Sequence, residues 1–378
     1  ADLDPLERER LRRMIETYRG DSALLGLTDD QLDGALGLVR QDGSARIPTY
    51  LGLLLLGKEE ALRQRVPTHE VAFQVLEGTE VRVNRFWRWP LLKLFEELQR
   101  EFESRIEERE VQVGLFRVAV PSVDRRSLRE ALVNALIHRD YSRMGTLFVR
   151  MEPDMVSISN PGGFVEGVTL QNLLTVEPKP RNPALADAIK RVGLAERTGR
   201  GVDIIYEGLL RYGRPDPDYS RSDSTSVVVR LSRSDADLDF VEMIVREENR
   251  RQTRLPLQSL LVLSRLRRER RLSSADLAEA LNWQVSEARG AAEALVESGL
   301  VETHGTGRGR VYMLSAAVYR AQGQATAYVR QAGYDKIQQE QMVLKYAQSN
   351  GRITRGDVMQ LCRLDEDQAS YLLRRLAS

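Results

Sequence analysis

Glu130 and Asn134 stand four residues apart in the stretch 126–138, Arg-Ser-Leu-Arg-Glu-Ala-Leu-Val-Asn-Ala-Leu-Ile-His. On a helix that spacing puts both side chains on one face. A carboxylate so placed can activate a water while an amide oxygen one turn later holds Mg2+ on a phosphate. Taken alone, the pair also fits a solvated Glu beside an ordinary helical Asn. Two glycine turns follow. Asn160-Pro161-Gly162-Gly163 closes a strand, where glycine lets a ligand come close to the backbone. Glu196-Arg197-Thr198-Gly199-Arg200-Gly201 opens a helix, where backbone N–H groups and the positive end of the helix dipole suit a phosphate. His138 could carry a proton, or it packs at a helix end where an imidazolium suits the dipole. With three His and one Cys in the chain, a His/Cys zinc site is not expected. The Gly-x-x-x-x-Gly-Lys-Ser/Thr loop of a strand-separating motor is missing.

These residues need elements to hold them. Leu128, Leu132, Ala135 and Leu136 recur at helical spacing and predict a helix over 126–138. A hairpin is expected from Leu147–Met151 and 155–159 around Glu152-Pro153-Asp154. A helix over 202–210 and a strand over 225–231 follow. Upstream, residues 1–45 read as charged helices, including one near 29–39. The apolar run 50–56 reads as a buried strand, with further strands at 71–75 and 80–83. Leu91, Leu92, Leu94, Phe95, Leu98 and Phe102 form one stripe of a helix over 90–108.

The order of these parts resembles the GHKL (Bergerat) ATPase fold of histidine kinases and gyrase. It resembles more closely the RecG-related transcriptional regulators that carry a divergent form of that domain. Their motifs are similar to Arg129-Glu130-Ala131-Leu132-Val133-Asn134-Ala135 running into His138-Arg139-Asp140-Tyr141, and to Ile158-Ser159-Asn160-Pro161-Gly162-Gly163. Arg181-Asn182-Pro183, Gly193-Leu194-Ala195-Glu196-Arg197 and Gly199-Arg200-Gly201 complete the set. A weaker likeness reaches up to Pro48-Thr49-Tyr50-Leu51-Gly52. The resemblance implies ATP and Mg2+ as cofactors. It casts Glu130 as the water-activating residue, Asn134 as the Mg2+ holder, and Ser159, Gly162, Gly163, Gly199, Gly201 and Thr225 as nucleotide-binding residues. Three departures weaken the site. Ser159 stands where such enzymes place an adenine-binding Asp, Pro161 replaces a glycine, and 165–195 is short for an ATP lid. An AlbA-like (Schlafen-type) domain usually precedes this region in the family and is not found here. Together with the start at Ala1, this suggests a shortened N-terminus.

The last third reads as two DNA-binding modules. Helices over 255–268, 275–281 and 285–298, with a hairpin at 301–303 and 310–314, make a winged helix-turn-helix. Gln284, Ser286 and Arg289 would meet base edges, and Arg308 and Arg310 would reach backbone or minor groove from the wing. Glu287, Glu293 and Glu297 on the same helix would repel phosphate. After an Ala- and Gln-rich connection over 316–334, helices over 339–349, 354–362 and 365–377 repeat the pattern without a wing. Arg352, Arg355, Arg374 and Arg375 supply its charge, and Cys362 is expected in its core.

The 378 residues imply several domains. The expected fold class is α+β and multidomain, a GHKL-like α/β sandwich followed by tandem winged helix-turn-helix domains. The expected boundaries are an N-terminal α/β region at 1–120, the GHKL-like domain at 121–233, and winged helices at 240–316 and 335–378. The formal net charge of +1 decides nothing by itself, but the last third of the chain carries clusters of Arg. No apolar run approaches a membrane span, and a single cysteine suits a reducing cytoplasm. The function expected is DNA-binding regulation or DNA repair, with the GHKL-like domain sensing nucleotide or holding a homodimer. An active ATPase in repair or remodelling, and a protein-interaction scaffold, are the alternatives.

Overall fold

The computed structural model describes residues 2–113, 116–195, 199–305, 307–315, 318, 336–362 and 364–377. Glu196, Arg197, Thr198, the side chain of Arg308 and all but Val318 of the connection at 316–334 lie outside the described residues. The chain divides into two compact units, 1–257 and 258–378.

The first unit opens on α1 (Pro5–Thr17), capped by the Asp4 carboxylate, which accepts from the Leu6 N–H at 2.9 Å. A capping box of Thr28 and Gln31 starts α2 (Asp29–Ala35). A hairpin of β1 (Val39–Asp42) and β2 (Ala45–Pro48) leads into α3 (Tyr50–Leu56). This last element corrects the strand expected at 50–56. Residues 52–56 are buried one after another, and such an apolar run carries no period to tell strand from helix. Leucine favours the helix, and the Thr49 hydroxyl caps it by accepting from the Gly52 N–H at 3.0 Å. Next come α4 (Glu59–Arg65), β3 (Val71–Glu77), β4 (Glu80–Trp87) and α5 (Leu91–Glu103). Helix α5 stops short of 108 because its apolar stripe ends at Phe102. The chain then turns into a hairpin the sequence reading missed, β5 (Glu108–Val113) with β6 (Phe116–Pro121). The stripe of α5 is wholly buried in the core of the unit.

The rest of the unit holds α6 (Arg125–His138), β7 (Leu147–Met151), β8 (Met155–Pro161), α7 (Pro183–Val192), α8 (Gly201–Leu210), β9 (Ser226–Ser232) and α9 (Leu238–Arg251). Helix α7 was not foreseen. Five strands form one mixed sheet in the order β4-β3-β7-β8-β9. Strands β3 and β7 run parallel, with Val71 opposite Leu147, and the other neighbours are antiparallel. Val149, Ile158 and Val229 line up across three strands and are buried on the face that meets α6. One apolar core runs from Leu11 to Leu231. Arg139, fully buried, donates to the carbonyls of Glu70 at 3.2 Å, Gly145 at 2.6 Å and Thr68. It thereby ties the end of α6 to the entries of β3 and β7.

The second unit carries α10 (Leu257–Glu269), α11 (Ser274–Leu281), α12 (Val285–Glu297), β10 (Val301–His304) and β11 (Val311–Leu314). Strands β10 and β11 pair as an antiparallel hairpin, and Leu272 bridges to Tyr312 beside it. Then follow α13 (Lys336–Asn350), α14 (Arg355–Cys362) and α15 (Glu366–Ala377). Val343, Val358, Cys362, Ala369 and Leu372 form a small core of their own. Among the described residues no helix is long and apolar enough to cross a membrane.

Candidate functional site

Both ends of α6 are fixed by side chains. At its start the Asp124 carboxylate accepts from the Ser127 N–H at 2.8 Å and hydroxyl at 2.9 Å. The same hydroxyl lies 3.1 Å from the Ile204 carbonyl of α8. Gly208 lets α8 come this close, since a β-carbon there would run into Ser127 and Asp124. At the other end the last carbonyls of α6 have no partner within the helix. The Asn182 amide donates to the carbonyls of Ile137 at 2.7 Å and Arg139 at 2.8 Å, and Arg181 donates to that of His138 at 3.1 Å. Arg181 also reaches the Gly163 carbonyl at 2.7 Å. The Arg181-Asn182-Pro183 motif therefore clamps α6 to the end of β8, and Pro183 then opens α7.

A cavity of about 440 Å³ lies along α6, roofed by the segment after β8 and by the turn that starts α8. Glu130, Asn134 and His138 face it from α6, Asn160 from β8, and Gly163, Gly199 and Gly201 from the two glycine turns. Lys179 and Lys190 also line it. Glu130 is 2% exposed and Asn160 4%. A β-carbon on Gly201 would sit 3.0 Å from Glu130 Oε2 and 3.3 Å from Asn134 Nδ2. The Glu130–Asn134 pair is thus pressed against the backbone that begins α8. Gly199 has φ +76° and packs on Pro178. Among the described residues no side chain caps the start of α8, and its first residues, Gly201, Val202 and Asp203, line the cavity.

Glu130, Asn134, Gly163, Gly199 and Gly201 thus line one cavity. Ser159, Gly162 and Thr225 do not. Side chains alternate along a strand, and Ser159 pairs with Phe148 and Val228 on the sheet face away from α6. Asn160, opposite Val227, faces the cavity instead. The sequence carried the signal, since Asn160 is in phase with the buried Val156 and Ile158. Gly162 shapes the turn. It has φ +98°, a β-carbon on it would stand 2.7 Å from Asp140 Cβ, and its N–H donates to the Thr225 carbonyl at 2.7 Å. The Thr225 hydroxyl donates to Asp223 Oδ1 at 2.7 Å and stays outside the cavity. His138 is pushed down to about 4, by burial first and then by the Arg181 charge. Its imidazole is neutral near neutral pH, which corrects the imidazolium expected at this helix end.

In the second unit Gln284, Ser286 and Arg289 are exposed at the start of α12. The Gln284 N–H donates to Glu287 Oε2 at 3.0 Å, so Glu287 serves as a cap. Arg310 is not a free wing cation. It donates to Glu293 Oε2 at 3.0 Å, and the Tyr312 hydroxyl donates to Oε1 at 2.7 Å. Arg355 pairs with Glu366 at 2.8 Å, Arg375 pairs with Glu340, and Arg374 donates to the Ser370 carbonyl at 3.3 Å. Arg352 is exposed.

Residues 145–231 match a family model described as "Putative ATP-dependent DNA helicase recG C-terminal", a likeness compatible with an ATPase-like α/β fold. Residues 1–72 match a model described as a domain of unknown function. No curated protein matches the chain. The crystal structure of the DIP2311 protein from Corynebacterium diphtheriae is similar, with a TM-score of 0.69 and 24% identity over 85% of this chain and 63% of that one. The chain thus spans less than two thirds of that protein, and the likeness is one of fold.

Proposed function

We propose that the first unit binds a nucleotide with Mg2+ in the cavity along α6. We propose further that the second unit holds two winged-helix modules that contact DNA, so that the protein is a nucleotide-responsive DNA-binding regulator. The observation that carries the nucleotide half is the contact of Gly201 with both Glu130 and Asn134. It sets a carboxylate and an amide beside the uncapped start of a helix, a donor set that fits a metal-bound polyphosphate. Asn134 would hold the Mg2+ through its amide oxygen. The N–H groups at the start of α8 would receive the phosphates, with Lys179 and Lys190 adding positive charge. When bound, Mg2+ neutralises phosphate charge and orients the terminal phosphate. Glu130 is placed to orient a water, and its burial removes competing solvent.

The DNA half rests on element order, three helices and a hairpin in α10–β11, together with the exposed Gln284, Ser286 and Arg289 at the start of the third helix. A second reading, in which these modules bind protein, is favoured by the internal pairing of Arg310, Arg355 and Arg375 with acidic partners. Fluorescence anisotropy of the full chain with labelled duplex DNA, with and without Mg·ATP, separates the two. Binding that weakens steeply with salt supports the DNA reading. No binding at low salt leaves the protein-contact reading.

A further inference from the structure

Asn160 is a buried amide with almost nothing to bond. It is 4% exposed and faces the cavity, yet its Nδ2 makes a single 3.5 Å contact to the Pro161 carbonyl, at the long limit of a hydrogen bond. Buried polar side chains are normally well bonded, so this amide is poised for a partner that enters the cavity. Its surroundings suit a flat ring: Val227, Val229 and Tyr219 line the same cavity. Its place suits one too. The clamp from Arg181 to the carbonyls of His138 and Gly163 holds the end of β8 to the C-terminal end of α6. The Glu130–Asn134–Gly201 contact lies about one to two turns earlier on that helix. A ligand with phosphates at the earlier end would bring its base toward Asn160.

We propose that Asn160 reads the nucleobase and that its amide admits both adenine and guanine nucleotides. The inference rests on the nucleotide reading given above. A carboxylate at this position could only accept, and would select a base that offers an amino group. An amide both donates and accepts. In one orientation its oxygen accepts from the adenine amino group while its NH2 donates to a ring nitrogen. Turned over about its last torsion, its NH2 donates to the guanine O6 while its oxygen accepts from the N1–H. The backbone then does not have to move to change base.

The test is calorimetry on the full chain in Mg2+ with ATP and GTP, for the parent, Asn160→Asp and Asn160→Ala, each checked for an unchanged melting profile. The parent is expected to bind ATP and GTP within about fivefold of each other, since each base makes the same number of bonds. Asn160→Asp is expected to keep ATP and to lose GTP by at least about tenfold, because a carboxylate cannot donate to O6 and repels it. Asn160→Ala is expected to weaken both. ATP bound with GTP about a hundredfold weaker in the parent, or an unchanged ratio in Asn160→Asp, overturns the inference while leaving the nucleotide site in place. Neither nucleotide bound by the parent removes the nucleotide reading itself, and this inference with it.

Discussion

Gly201 lies so close to Glu130 that a β-carbon on it would stand 3.0 Å from the carboxylate Oε2. That contact brings the two sequence motifs of the site together, although 71 residue numbers separate them. It also gives a clean substitution. Gly201→Ala puts a methyl group against Glu130 and Asn134 at the start of a helix, where alanine is otherwise favoured by up to about 1 kcal/mol. The expected result is a melting temperature unchanged or raised and an Mg·ATP affinity lowered by about tenfold, on the order of 1.4 kcal/mol. Equal affinity in the variant and the parent would show that the pair does not hold the ligand.

Arg139 should matter for folding rather than binding. Its guanidinium is fully buried and serves three backbone carbonyls from two segments, 68–70 and 145. Arg139→Ala strands those carbonyls and is expected to cost about 3 kcal/mol in urea unfolding. Arg139→Lys should recover little, because an ammonium cannot span the fork. A loss below about 1 kcal/mol would contradict the clamp.

Stability should fall on the mildly acid side through His138. Its folded value is pushed down to about 4, against about 6.5 in an unfolded chain. The unfolded state therefore binds the extra proton first, and stability is lost as pH falls from about 6.5 toward 4. Each fully depressed histidine adds a slope of up to about 1.4 kcal/mol per pH unit in that window. Urea unfolding at pH 7 and pH 5.5 should therefore converge in His138→Gln relative to the parent. His69, also pushed down to about 4 by burial, keeps a residual slope in that variant. An identical pH dependence in parent and variant would mean that the imidazole is solvated.

For the DNA reading, Arg289 and Arg352 are the cations to reverse, since Arg310, Arg355 and Arg375 already have acidic partners. Arg352→Glu should weaken binding to all duplex sequences and make the salt dependence shallower by about one phosphate contact, whereas Arg289→Glu should also change which sequences are preferred. An unchanged salt slope would place the contacts elsewhere.

Much of the site was legible because it obeys local rules. The helical spacing of Glu130 and Asn134, the two glycine turns and the β7–β8 hairpin all follow from period and turn chemistry. Ser159 was misplaced because the family pattern was followed instead of the strand alternation that carries Val156 and Ile158 inward. The strand expected at 50–56 failed because a run of leucines buried one after another has no period to read. The work of Arg181 and Asn182 was hidden because their partners are backbone carbonyls some 43 to 45 residues away.

In the proposed function the cavity along α6 binds a metal–nucleotide complex through Asn134. Calorimetry with Mg·ATP on the parent and on Asn134→Ala tests it most directly. Saturable binding of Mg·ATP by the parent, and binding in Asn134→Ala that no longer depends on Mg2+, are the expected results. No detectable binding by the parent at millimolar ATP would contradict the site. Mg2+ dependence retained in Asn134→Ala would contradict the role given to Asn134.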